Sequence, residues 1–161
     1  MALKIDREFF DLELYCLCKA IYEFLGKDAW KVVWRSGEIL FKELEERLNL
    51  KNEKDYVKTL QRLAQYLQES GYVEHINVNR LLDEMKQRRS EEELIVYEMV
   101  NPALTKWAER LTKEGGAPAH ISTGLLLAAL KKYGLKGEMV EGPVFLPDGR
   151  VIEKWKITTL R

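Results

Sequence analysis

The segment running from His120 to Tyr133 (HISTGLLLAALKKY) constrains this chain most. A helix that is apolar on nearly every side forms an inner wall of a domain, with other elements packed on more than one face. It opens with polar groups, His120, Ser122 and Thr123, and carries Gly124 on the same side as His120. Polar groups at the mouth of a buried helix are where a small domain places a binding site. Gly134 closes the helix, and a hairpin with strands near 136–146 and 149–158 follows. Pro147-Asp148-Gly149 supplies its turn chemistry.

The rest of the chain must supply the layers around that wall. Asp6 caps a first helix to Gly26, whose centre (LYCLCKAIYEFL) is apolar almost all round and is expected to be deeply packed. Asp28 caps a second helix through about Leu48. Its inward stripe is Trp30, Val33/Trp34, Gly37, Leu40/Phe41, Leu44 and Leu48, at helical spacing. Gly37 lies in mid-stripe, where glycine costs about 1 kcal/mol against alanine, so something is expected to pack close there. A third helix starts near Asn52 and stops at Gly71. Tyr72 to Val78 and Leu94 to Val100 read as strands, separated by a densely charged, solvated excursion over 79–93. Asn101-Pro102 reads as a helix start, and that helix ends at Gly115-Gly116. Three helices, two strands, two helices and two strands predict an α+β fold. The expectation is an antiparallel four-stranded sheet packed with about five helices, in a single domain over 1–161. Helices fill 6–70, and the strand, helix and hairpin portion spans 72–158.

At 161 residues the chain can bury a core without staples. Lys plus Arg and Asp plus Glu each number 26, which argues against a nucleic-acid binder needing a basic excess. No apolar run approaches the roughly 20 residues of a membrane span. Charges interrupt the N-terminus, so no signal peptide is read there and a cytoplasmic protein is expected. Cys16 and Cys18 point to different helix faces and read as buried reduced thiols.

No catalytic motif of specific spacing is present. His75 falls in a strand and reads as a surface or edge histidine. His120 sits where the helix macrodipole disfavours added positive charge. A neutral imidazole there either caps the helix and bonds within the core, or meets a ligand. His120, Gly124 and Ala128 share a stripe that allows either tight helix packing or room for a guest. Trp30 and Trp34, one turn apart, are either core aromatics or the floor of an apolar pocket. Glu141 and Glu153 on the last two strands read as exposed, and gain interest only if they face the His120 cavity.

Four segments together resemble the 4-vinyl reductase domain family, which shares its fold with vesicle-tethering TRAPP subunits and phenol-sensor domains. They are LGKDAWKVVWRSGEILFKEL (Leu25 to Leu44), the third helix with Gly71 and its strand, PAHISTGLLLAAL (Pro118 to Leu130), and VEGPVFLPDGRVIEKWKI. The resemblance implies a domain that binds a small apolar molecule or lipid and often forms a homodimer. In several relatives cysteines near the cavity hold zinc. Here those positions match Asn101, His120, Val144 and Glu153. Only His120 and Glu153 remain as possible ligands, below the three that zinc normally takes from protein. The implied zinc site is therefore read as lost, and no cofactor is expected.

The reading favoured by these residues is a non-enzymatic binding or sensory domain for an apolar, aromatic or lipid molecule, the candidate site residues being Trp30, Trp34, Asn101, His120, Gly124, Glu141 and Glu153. The alternative is an assembly scaffold like the tethering subunits. A winged-helix DNA binder (from ELEERLNL onward) and a hydrolase using His120 with Glu153 or Glu141 stand further off. The winged helix lacks net positive charge on its recognition helix, which carries Glu53, Lys54, Asp55, Lys58 and Arg62. The hydrolase lacks a nucleophile or metal set.

Overall fold

A computed structural model describes residues 6–81, 92–103, 105–116 and 121–160. The described elements are α1 (Arg7–Leu25), a 3-10 turn (Gly26–Asp28), α2 (Ala29–Arg47), α3 (Tyr56–Glu69), β1 (His75–Leu81), β2 (Glu92–Val100), α4 (Thr105–Lys113), α5 (Ile121–Lys132), β3 (Leu135–Phe145) and β4 (Arg150–Thr159). The fold is α+β, with one antiparallel sheet in the order β1-β2-β4-β3.

Local chemistry accounts for most element boundaries. The Asp6 carboxylate accepts the Glu8 and Phe9 amides and caps α1. Asp55 does the same for α3 through Val57 and Lys58, each satisfying donors that a helix N-terminus leaves free. That cap sets α3 later than the expected start at Asn52. Asp28 precedes α2 but makes no side-chain cap, because a 3-10 turn already leads into the helix. The first two strands are displaced from their expected limits: β1 begins at His75 rather than Tyr72 and continues to Leu81, and β2 begins at Glu92. The remainder of the charged excursion, 82–91, lies outside the described residues, as does His120.

Asn101 is a correction to the expected helix start. It adopts a left-handed conformation (φ 47°) at the end of β2, and α4 begins only at Thr105. Its amide donates to the Gly149 carbonyl (2.9 Å), its side-chain amide to Glu74 (2.6 Å), and its own carbonyl accepts from Arg7 (2.7 Å). One residue thus joins the segment leading into β1, the β3–β4 turn and the start of α1.

The core lies between one sheet face and the helices α2, α3 and α5. Along β4 the side chains alternate, placing Val151, Glu153, Trp155 and Ile157 inward. Ile95, Tyr97 and Met99 of β2 face the same way. Leu125, Leu126, Ala129 and Leu130 of α5 pack on them, with Leu60, Leu63 and Leu67 of α3. The expected wall is therefore α5. A smaller cluster of Tyr15, Ala108 and Leu111 joins α1 to α4.

The close approach expected at Gly37 is made by Gly124. A Cβ on Gly37 would overlap the Gly124 backbone, and one on Gly124 would lie 2.9 Å from the Val33 carbonyl oxygen. Two glycines let α2 and α5 touch backbone to backbone. The two helices are further tied by Lys131 to Glu38 (2.8 Å) and Lys132 to Glu45 (2.9 Å).

Two expectations for the helices fail. Trp30 and Trp34 do not fill the stripe; each is 42% exposed, while Ala29, Gly37, Phe41 and Leu44 form the buried side of α2. Helices in backbone contact leave no space for an indole one turn away, so the rings turn aside and stack edge to face on each other at 4.8 Å. Likewise, α1 is not deeply packed. Tyr15 is its one buried residue, because only the small α4 cluster and the start of α2 cover it. Cys16 is exposed and Cys18 half-buried, both as free thiols, which corrects the buried reading for Cys16.

The glycine pair carries a prediction. Gly37→Ala or Gly124→Ala is expected to destabilise by about 1–3 kcal/mol, Gly37→Ala the more, as overpacking against backbone does. Ser36→Ala, on the exposed side of the same helix, is expected to stay within about 0.5 kcal/mol. Urea denaturation of the three variants checks both.

Candidate functional site

The N-terminal turn of α5 sits over the centre of the sheet, and its two hydroxyls are buried. Thr123 donates to Glu153 of β4, at 3.1 and 3.3 Å from its two carboxyl oxygens. The Trp155 indole N–H donates to the same carboxyl at 3.0 Å. Glu153 is 0% exposed and has no cationic partner among the described residues. Its expected exposure is thus overturned. Burial pushes its pKa up, and the hydrogen bonds from Trp155 and Thr123 oppose that shift.

The polar tract continues to Tyr97 on β2 and to Tyr72, ahead of β1. Tyr97, paired with Glu153 across the β2–β4 ladder, is also shifted up, by burial and then by the charge of Glu153. Burial pushes Tyr72 up to about 12. The Tyr72 hydroxyl lies against Ser122 without closing a well-directed hydrogen bond. Ser122 itself donates to the Met99 sulfur at 3.5 Å. These groups are held by neutral donors, and the layer around them is closed. The void between α3, α5 and β2 measures about 10 Å³, roughly the room of one water.

Open space lies on another side of α5. A groove of about 230 Å³ runs between α2, α5 and the start of β3, lined by Trp34, Gly124, Leu127, Ala128, Leu135, Gly137 and Leu160, with Glu38, Lys131 and Lys136. Its walls are mainly apolar. Glu38 takes hydrogen bonds from Lys131 and Arg35, which hold its carboxyl below the usual range. Lys136 has no ion-pair partner among the described residues.

The structure brings two of the anticipated residues, Trp34 and Gly124, into one groove. Trp30 stacks behind Trp34. Glu153 belongs to the buried tract instead. Asn101 holds the β3–β4 turn, and Glu141 is an exposed partner of Lys154 on β3; neither reaches the groove. The residues not foreseen are Glu38, Leu127, Lys131, Leu135, Lys136, Gly137 and Leu160. Gly137 carried a signal, since a glycine inside a strand marks a close approach. A Cβ there would lie 2.9 Å from the Leu127 side chain and 3.2 Å from the Trp155 ring. Glu153 carried one too: V-x-E-x-W-x-I alternation puts it on the face of Val151, Trp155 and Ile157. His75 is exposed on the edge strand and bonds Asn77 at 2.8 Å, as expected. Among the described residues no three side chains of metal-binding type converge.

No family model and no curated protein matches the chain. The fold is similar to a solved structure from work on haem distortion in the H-NOX family, at a TM-score of 0.57 and 17% identity, covering 99% of this chain and 74% of that one. Among the described residues the fit to haem fails. Leu125, Ala129, Leu130 and Val151 close the layer between α5 and sheet at 1% exposure or less. The groove is smaller than the roughly 300 Å³ at which drug-sized pockets begin.

The buried carboxyl predicts a pH dependence. With its folded pKa raised, Glu153 leaves stability full below the unfolded carboxyl value of about 4.3. Stability falls as pH rises from there toward the folded pKa. Glu153→Gln removes that decline, so its stability relative to the parent should grow steadily from pH 4 toward neutrality. Chemical denaturation across that range measures it; a constant difference would rule the assignment out.

Proposed function

We propose that this chain is a non-enzymatic domain that binds a small apolar or aromatic molecule or lipid, with the groove between α2, α5 and β3 as its site. The observation that carries this reading is the groove itself. Apolar walls, an indole at one side and two glycines that keep the backbone bare describe a site for a hydrocarbon or aromatic ring. The resemblance to the 4-vinyl reductase domain family supports it, and membership of that family is part of the proposal. The fold shared with an H-NOX structure supports a sensory or ligand-binding reading at the same coarse level.

An assembly module is a second reading, favoured by the exposed apolar side of α1. It is compatible with the first, because α1 does not line the groove. An enzyme is disfavoured by chemistry: among the described residues the buried carboxyl has no open space beside it, and the groove lining holds no nucleophile paired with a base.

The binding reading is tested with dodecanol and 4-propylphenol by thermal shift and by quenching of tryptophan fluorescence. Both are expected to raise the melting temperature of the parent. Trp34→Ala, at an exposed position, should leave the unliganded protein folded and weaken binding about tenfold, a loss of roughly 1.4 kcal/mol. Absence of any shift or quenching with either compound would overturn the groove as the site.

A further inference from the structure

We propose that the guest of the groove is an amphipathic carboxylate, with an alkyl or aryl body seated between α2, α5 and β3 and an anionic head beside Lys131 and Arg35. This rests on the groove reading and adds the charge of the ligand to it.

The groove does not end at its apolar walls. An open basin of about 320 Å³ adjoins it, lined by Arg35, Glu38, Phe41, Ala128, Lys131 and Lys132. Glu38, Ala128 and Lys131 line both spaces, so the Lys131–Glu38 ion pair stands where they meet. The groove contributes Trp34, Gly124, Leu127, Leu135 and Leu160. The basin contributes the cations. A molecule that spans the junction meets hydrocarbon with one end and positive charge with the other. The apolar lining lies in a furrow between elements, which a single dissolved chain enters and a flat bilayer surface does not.

Charge balance decides the sign of the head. Glu38 is already satisfied, since one carboxyl oxygen takes Lys131 and the other takes Arg35, each at 2.8 Å. It offers a cationic guest little. Arg35 and Lys131 keep further N–H donors, because a guanidinium carries several and an ammonium three. Their side chains are 70% and 68% exposed, so a second anion reaches them. Lys132 is taken up by Glu45 and the Leu50 carbonyl. Lys136 on the groove wall adds a cation without an ion-pair partner among the described residues. Arg35, Lys131 and Lys136 thus share the single carboxylate of Glu38. A neutral guest displaces water from these cations and returns only neutral hydrogen bonds. A carboxylate returns charge-assisted ones, roughly twice as strong, and matches the planar fork of Arg35.

Titration of tryptophan fluorescence with dodecanoate and with dodecanol, at neutral pH, low salt and below micelle-forming concentrations, compares two guests that differ in the head alone. Dodecanoate is expected to bind about fivefold more tightly. Added sodium chloride should shrink that preference by screening the head. Lys131→Gln and Lys136→Gln should each lower the ratio of dodecanoate to dodecanol affinity, with unchanged circular dichroism. Glu38→Gln should raise the ratio by freeing both of its cations. Dodecanol binding with no preference for dodecanoate overturns the proposal and leaves the groove reading standing. Binding of neither compound overturns both. A preference that survives in both lysine variants places the head elsewhere and overturns the assignment to this cluster. Flotation with phosphatidylglycerol vesicles, without a preference for the dissolved anion, overturns it in favour of an anionic lipid surface.

Discussion

The backbone contact between Gly37 and Gly124 holds the rest of this structure in place. It brings α2 against α5 at a distance that no side chain at either position permits. With α2 that close, α5 is covered on one side and presses its Leu125, Leu126, Ala129 and Leu130 onto the sheet on another. The same contact turns the Trp34 ring aside to become a wall of the groove. One steric condition therefore closes the core beneath α5 and opens the space beside it.

The second determinant is the carboxyl of Glu153. Burying an unpaired carboxylate is costly, and a protein lowers that cost by hydrogen bonding or by keeping the proton. Here Thr123 and the Trp155 indole satisfy the group from α5 and from β4 itself. The bond from Thr123 also fixes the rotation of α5 over the sheet, and hence which of its sides faces the groove. Polar groups at the mouth of the wall helix thus serve to seat it. The ligand-accessible side is the small-residue stripe of Gly124 and Ala128.

Much of the architecture is legible in the chain because it is local. Asp6 and Asp55 cap helices through amides two and three residues away, and Pro147-Asp148-Gly149 turns a hairpin whose strands are adjacent in sequence. Asn101 shows the limit of such reading. Asn-Pro is helix-start chemistry, yet the residue adopts a left-handed conformation because the Gly149 carbonyl, distant in sequence, takes its amide. The same limit applies to the site. Trp34 and Gly124 could be named from their helical stripes. Leu135, Lys136 and Leu160 could not, since no periodicity links a strand start and a C-terminal residue to α2.

By itself the sequence determined the kinds and order of the elements, the role of α5 as an inner wall, and the need for a close approach at Gly37. These follow from periodicity, caps and the absence of a Cβ, which act within a few residues. Only the tertiary structure decided that Glu153 is buried, that Trp30 and Trp34 stand outside the core, and that α1 keeps an apolar side in solvent. An apolar or charged side chain is buried only when another element arrives to cover it. Which elements meet is set by pairings such as Gly37 with Gly124, which lie far apart along the chain.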